Sequence, residues 1–140
     1  MQVNQIMTPD VTFVGPDTQL QEIARRMRDE EIGSLPISVN DRLIGMVTDR
    51  DIVVRAVAEG LDAREATARD VMSPKILYCF DDTPVEAALK NMGENQVRRL
   101  PVIDHDKRLV GVVSLGDLSK AAEKAAGGAL REISEAPIDH

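Results

Sequence analysis

The stretch Gly45-Met46-Val47-Thr48-Asp49-Arg50-Asp51 recurs as Gly111-Val112-Val113-Ser114-Leu115-Gly116-Asp117, so both copies read G-x-x-[T/S]-x-x-D. The likeness extends outward from there. Residues 4–38 align with 69–103 at a constant offset of 65: Met7 falls on Met72, Pro9 on Pro74, Asp17-Thr18 on Asp82-Thr83, Met27 on Met92, and Leu35-Pro36 on Leu100-Pro101. One residue is inserted around Lys107, after which Arg42-Leu43 falls on Arg108-Leu109 at offset 66. A copy of roughly 60 residues is too long for a solenoid unit and short for a self-sufficient domain. Two copies packed face to face predict one core, and a site built from repeated residues is expected twice.

Each copy reads as strand, helix, hairpin, helix. Val11–Val14 and Ile76–Phe80 carry the β-branched and aromatic residues of a strand. Thr18 with Gln21, and Thr83 with Glu86, have the spacing of capping boxes, and Pro84 suits a first helical position. Leu20, Ile23, Ala24 and Met27 then form an apolar helical stripe, matched by Val85, Ala88, Leu89 and Met92. Two hairpins follow, Ile32–Val39 with Leu43–Val47 and Val97–Ile103 with Leu109–Val113. A second helix runs from about Asp49 to Glu59, stopped by Gly60, and its counterpart from about Leu115 to Ala126, before Gly127-Gly128. The chain thus divides into repeat 1 over 1–62, a linker over 63–68, repeat 2 over 69–126 and a tail over 127–140.

Composition narrows the function classes. Aromatics are limited to Phe13, Tyr78 and Phe80, so the core must be aliphatic, built on Val, Ile, Leu, Met and Ala, with Met7, Met27, Met72 and Met92 as core candidates. A net charge of −7 argues against nonspecific nucleic-acid binding, which needs a basic surface. No run resembles a signal peptide and none is long and apolar enough to span a bilayer. Cys79 is the single cysteine, so no internal disulfide forms, which fits a cytoplasmic protein. The only histidines are His105 and His140, which gives a metal site or a histidine-based triad little support. The acidic pairs Asp81-Asp82 and Asp104/Asp106 fall where turns favour Asp. No catalytic residue and no metal site is expected.

The repeated heptapeptide sits where a strand hands over to a helix. Such a junction presents unpaired N–H groups, a natural anion site. The glycine lets another group approach the strand backbone. The hydroxyls of Thr48 and Ser114 can donate to a phosphate or sugar, and the carboxylates of Asp51 and Asp117 can accept from a ribose. The same spacing satisfies a capping box, so capping and binding both stand as readings.

In these segments, together with Asp17-Thr18 and Asp82-Thr83 and with Leu35-Pro36-Ile37 and Leu100-Pro101-Val102, the chain resembles the cystathionine-β-synthase-type (CBS) domain pair, or Bateman module. The resemblance covers roughly residues 3–122. It implies an α/β fold of tandem CBS repeats (β-α-β-β-α twice) packed by pseudo-twofold symmetry through their sheets, with up to two ligand clefts. It implies a regulatory, non-catalytic module that binds AMP, ADP or ATP, with S-adenosylmethionine or NAD as other ligands and no required cofactor. Thr48 and Asp51 would serve one cleft and Ser114 and Asp117 the other. Thr18 and Thr83 match a ligand-touching threonine, Ile32 and Val97 a position flanking adenine, and Arg98-Arg99 a phosphate-contacting pair. Strand alternation predicts that at most one of these arginines enters a given cleft. Repeat 1 has Gly33-Ser34 at those positions, and repeat 2 has Leu115-Gly116 for Asp49-Arg50, so the clefts are not equivalent. A homodimer is implied, with Ile52, Val53, Ala56 and Val57 as a candidate contact. The downstream target stays open, and the rival reading is a constitutive dimeric scaffold without a nucleotide.

Overall fold

The computed structural model describes residues 1–9 and 11–135. In repeat 1, α1 (Leu20–Glu30) leads into the hairpin β1 (Ser34–Val39) and β2 (Arg42–Thr48), then α2 (Asp49–Ile52), which continues as a π-helical turn over Val53–Val57. A short α3 (Ala68–Val71) precedes repeat 2: β3 (Cys79–Phe80), α4 (Val85–Asn95), β4 (Arg99–Ile103), β5 (Leu109–Ser114) and α5 (Leu115–Glu135). β1 and β2 form an antiparallel pair, whereas β3 runs parallel to β4 and β4 antiparallel to β5. Both hairpins carry a register shift at the same point, between Ile37 and Ser38 and between Val102 and Ile103.

The two repeats exchange their leading segments. Thr8 bridges Val112 on β5, with N–H to carbonyl bonds of 2.9 Å in both directions. Ser73 bridges Met46 on β2 in the same way, at 2.9 and 3.2 Å. The chain then crosses back, and Val14 pairs with Ile37 while Cys79 pairs with Val102. Among the described residues, 11–13 and 75–78, which pass between the sheets, pair with neither of them. This shortens the expected strand Val11–Val14 to a single bridge and Ile76–Phe80 to Cys79–Phe80.

Side-chain burial follows the exchange. One core gathers Leu20, Ile23, Leu35, Ile37 and Val47 with Ala66, Ala68 and Val71, which lie beyond repeat 1 in sequence. The other gathers Val85, Met92, Leu100, Val102, Val113 and Leu118 with Val3 from the start of the chain. There are therefore two cores, one under each sheet, rather than the single core that face-to-face packing predicts. Met27 and Met92 lie within them, while Met7 and Met72 are partly buried against their edges. Ala24 of the expected α1 stripe is exposed. At the hairpin turns the repeats meet directly, Arg42 bridging Arg108 and Leu109 N–H donating to the Asp41 carbonyl at 2.7 Å.

The helix starts differ from the expected capping boxes. Gln19 and Pro84 are the N-caps of α1 and α4, and neither is capped by a side chain. Thr83 is occupied in the turn before its helix, its Oγ1 accepting from Phe80 N–H at 3.0 Å. The Thr18 carbonyl accepts from Ala68 N–H at 2.9 Å and so anchors α3. Gly60 has the left-handed φ of 73° expected at the end of the second helix. Its counterpart does not stop at Gly127-Gly128, because α5 continues to Glu135. Residues 136–140 of the tail lie outside the described residues. Among the described residues no helix is long and apolar enough to cross a membrane.

Candidate cleft between the two repeats

Both helices that precede the hairpins end alike. Glu31 and Gln96 take left-handed backbone at φ 54°, and their N–H groups close onto the carbonyls of Met27 and Met92. The next residues, Ile32 and Val97, donate to those same carbonyls at 3.1 Å. Each cap therefore fixes the residue that enters the following strand. The hairpins then return, and the junctions after β2 and β5 are tied to these entry segments. Asp49 N–H donates to the Gly33 carbonyl at 2.9 Å, and Leu115 N–H to the Arg98 carbonyl at 2.7 Å.

These four segments border one cleft of about 1200 Å³. That is above the roughly 300–1,000 Å³ of ordinary small-molecule pockets. Ile32, Thr48 and Asp51 line it from repeat 1, and Val97, Arg98, Arg99 and Ser114 from repeat 2. The half-sites expected to form two clefts thus open into one shared space. Thr18, Thr83 and Asp117 are not part of its lining. The two threonines close the turns that precede their helices, their N–H groups donating to the Gly15 carbonyl at 3.2 Å and the Phe80 carbonyl at 3.0 Å, and Asp117 is exposed in the first turn of α5.

Both arginines line the cleft, against the expectation that only one would. Arg98 lies in a bend before β4 begins at Arg99, so strand alternation does not yet apply to the pair. Arg50 and Lys75 add two further cations, while Glu31, Asp49 and Asp51 supply acids. The cleft is thus locally richer in cations than the chain as a whole, whose net charge is −7. Lys75 was hidden from sequence reading because it follows Ser73, the residue that bridges Met46 of the other repeat, and that crossing is not marked locally. Arg50 was legible as the place where the repeats differ.

The two junctions are capped unequally. Asp51 N–H donates to Thr48 Oγ1 at 3.0 Å, and Thr48 N–H donates back to Asp51 Oδ2 at 2.9 Å. The second carboxylate oxygen of Asp51 stands 3.9 Å from Arg55 Nε, with the Asp51 side chain 17% exposed. In repeat 2, Asp117 N–H donates to Ser114 Oγ at 3.1 Å. Thr48 and Asp51 therefore combine capping with a place on the cleft wall. The repeated glycines serve the exchange: a Cβ on Gly45 would meet Met72 Sδ at 3.0 Å, and one on Gly111 would meet Met7 Sδ at 2.8 Å. Cys79 is buried, and burial pushes its thiol up to about 11.

Comparison with known proteins agrees with this architecture. The family model of the CBS domain matches residues 3–57 and again 68–124. The CBS domain-containing protein YhcV of Bacillus subtilis is 37% identical over 138 residues, covering 97% of each chain. Hypoxic response protein 1 of Mycobacterium tuberculosis is 44% identical over 116 residues, covering 82% of this chain and 80% of its own. The crystal structure of Hypoxic Response Protein I with two coordinated zinc ions superposes with a TM-score of 0.77 at 42% identity, covering 86% of this chain and 98% of that one. CBSX2, known from Arabidopsis thaliana, in complex with AMP superposes with a TM-score of 0.76 at 26% identity, covering 89% of this chain and 98% of that one. With the exchanged repeats and the doubled family match in agreement, this chain belongs to the CBS domain family and carries two CBS domains in tandem.

Proposed function

We propose that this chain is a regulatory, non-catalytic module that binds an adenine nucleotide of the AMP, ADP or ATP type in the cleft between its repeats. The observation that carries the reading is the convergence of Ile32, Thr48 and Asp51 with Val97, Arg98, Arg99 and Ser114 on one opening. Apolar walls at Ile32 and Val97 suit a base, hydroxyls and a carboxylate suit a ribose, and the guanidinium groups suit phosphates. The AMP complex of CBSX2 supports the ligand class. Thermal unfolding with AMP, ADP, ATP, NAD and S-adenosylmethionine tests the reading. A ligand at one hundred times its dissociation constant stabilises the fold by about 2.7 kcal/mol. No shift with any of the five at millimolar concentration would refute it.

The rival reading, a constitutive scaffold without nucleotide, draws on the closed Thr48–Asp51 capping pair, which is complete on its own. Either reading includes a homodimer. Ala56 is buried and Ile52 packs against the core, so the expected contact shifts to Val53, Val54, Val57 and Leu61, all of them exposed. A second copy covering this face would bury it. Light scattering at micromolar concentration should give twice the chain mass, and Val53→Asp with Val57→Asp should return the monomer.

A further inference from the structure

We infer that Asp81, Asp82 and His105 form a binding site for a divalent transition-metal cation of the zinc type, at the end of the second sheet away from the cleft. An oxygen of each carboxylate and a ring nitrogen of His105 lie within 4.8 Å of one another. His105 Nε2 is 2.9 Å from Asp82 Oδ2. Donors sharing one zinc ion at about 2.0–2.2 Å stand roughly 3–4 Å apart, so modest side-chain rotations would close the set. A mixed imidazole and carboxylate set favours zinc and its neighbours over magnesium or calcium, which prefer oxygen alone.

The site is held by its surroundings. Phe80 stacks on the His105 ring at 4.7 Å between centroids and 8° between planes, which fixes the ring's direction. Asp81 N–H donates to the Ile103 carbonyl at 2.9 Å, which pins the acidic turn to β4. Asp104 Oδ1 accepts from Asp106 and Arg108 N–H at 2.9 Å and shapes the turn that carries His105. The repeat supplies an internal control. At the positions of Phe80, Asp81, Asp82 and His105, repeat 1 has Gly15, Pro16, Asp17 and Asn40. Repeat 1 builds the same hairpin without the imidazole, its aromatic support or the first carboxylate, so the fold itself does not require them. Arg99 at the start of β4 borders the cleft, whereas Ile103 at its end borders the acidic turn. Four strand steps separate them, roughly 13 Å. Metal binding is therefore separable from nucleotide binding and does not rest on it.

The test is calorimetric titration of the full-length, chelator-treated chain with zinc chloride, alongside His105→Gln, Asp81→Asn, Asp82→Asn and His140→Gln. The parent and His140→Gln should bind one zinc per chain. Each of the other three should bind at least about ten-fold more weakly. His105 and Asp82 are exposed, so their variants should melt with the metal-free parent, and any variant that unfolds is replaced by the variant of a fellow ligand. Absence of zinc binding in the parent overturns the inference. So does unchanged affinity in His105→Gln, or a loss in His140→Gln that assigns the metal to the tail.

Discussion

Thr48 and Asp51 are closed into a reciprocal pair, each backbone N–H donating to the other's side chain at 2.9–3.0 Å. Ser114 and Asp117 make the forward bond at 3.1 Å, and Asp117 is exposed and away from the cleft lining. Asp51→Ala should therefore act twice. Loss of the carboxylate's bond to Thr48 N–H should lower folding stability by about 1 kcal/mol. Under the proposed function, in which Asp51 accepts from a ribose, the same change should weaken nucleotide binding by roughly ten-fold or more. Asp117→Ala should change both quantities less. Paired unfolding and binding measurements check this, and equal effects of the two variants would show that the asymmetry has no consequence.

The two repeated glycines should differ in their tolerance of a side chain. A Cβ at Gly111 would stand 2.8 Å from Met7 Sδ and 2.9 Å from the Thr8 carbonyl oxygen, whereas one at Gly45 would stand 3.0 Å from Met72 Sδ and 3.2 Å from the Ser73 carbonyl oxygen. A methionine end can rotate away, but a carbonyl held in a two-bond bridge moves only with its strand. Gly111→Ala should cost about 1–3 kcal/mol and Gly45→Ala less. Urea midpoints of the two variants decide the order.

The legible part of this molecule was what the repeat doubles. Leu35-Pro36, Leu100-Pro101 and the two heptapeptides carried the tandem fold, because apolar alternation and capping act locally. The exchange was not legible. Nothing near Val3 in sequence says that it is buried in the core of repeat 2, since that contact depends on which sheet the crossing segment reaches. The same blindness hid Lys75, which joins the cleft lining from the exchanged segment after Ser73. The Asp81, Asp82 and His105 cluster joins two turns, with Asp82 and His105 23 residues apart, so no local spacing marked it.

Ser38 offers a gain in stability. Its side chain is buried, at 5% exposure, and its hydroxyl finds no partner among the described residues. Its counterpart just after the register shift of the other hairpin is Ile103, an apolar core residue. A buried polar group without a partner costs about 1–3 kcal/mol. Ser38→Val removes that hydroxyl and moves the position toward the chemistry of repeat 2. A higher melting temperature is expected, and a lower one would show that the first hairpin lacks room for the added methyl.

Arg98 and Arg99 should set how the cleft ranks phosphates. Both line it, Arg98 from the bend and Arg99 from the first residue of β4. Both side chains are exposed, and Arg50 and Lys75 face the same space. An arginine that meets phosphate oxygens forms charge-assisted bonds whose strength grows with the ligand's charge. In an acidic protein such local cations must offset the general field before a polyanion is retained. Arg98→Ala and Arg99→Ala should therefore each weaken ATP more than ADP, ADP more than AMP, and adenosine least. The losses should shrink as salt is raised, because exposed charges are screened. Equal losses for adenosine and ATP in both variants would mean that neither guanidinium reads phosphate, leaving Arg50, Lys75 and the backbone N–H groups at the strand-to-helix junctions to hold the anion.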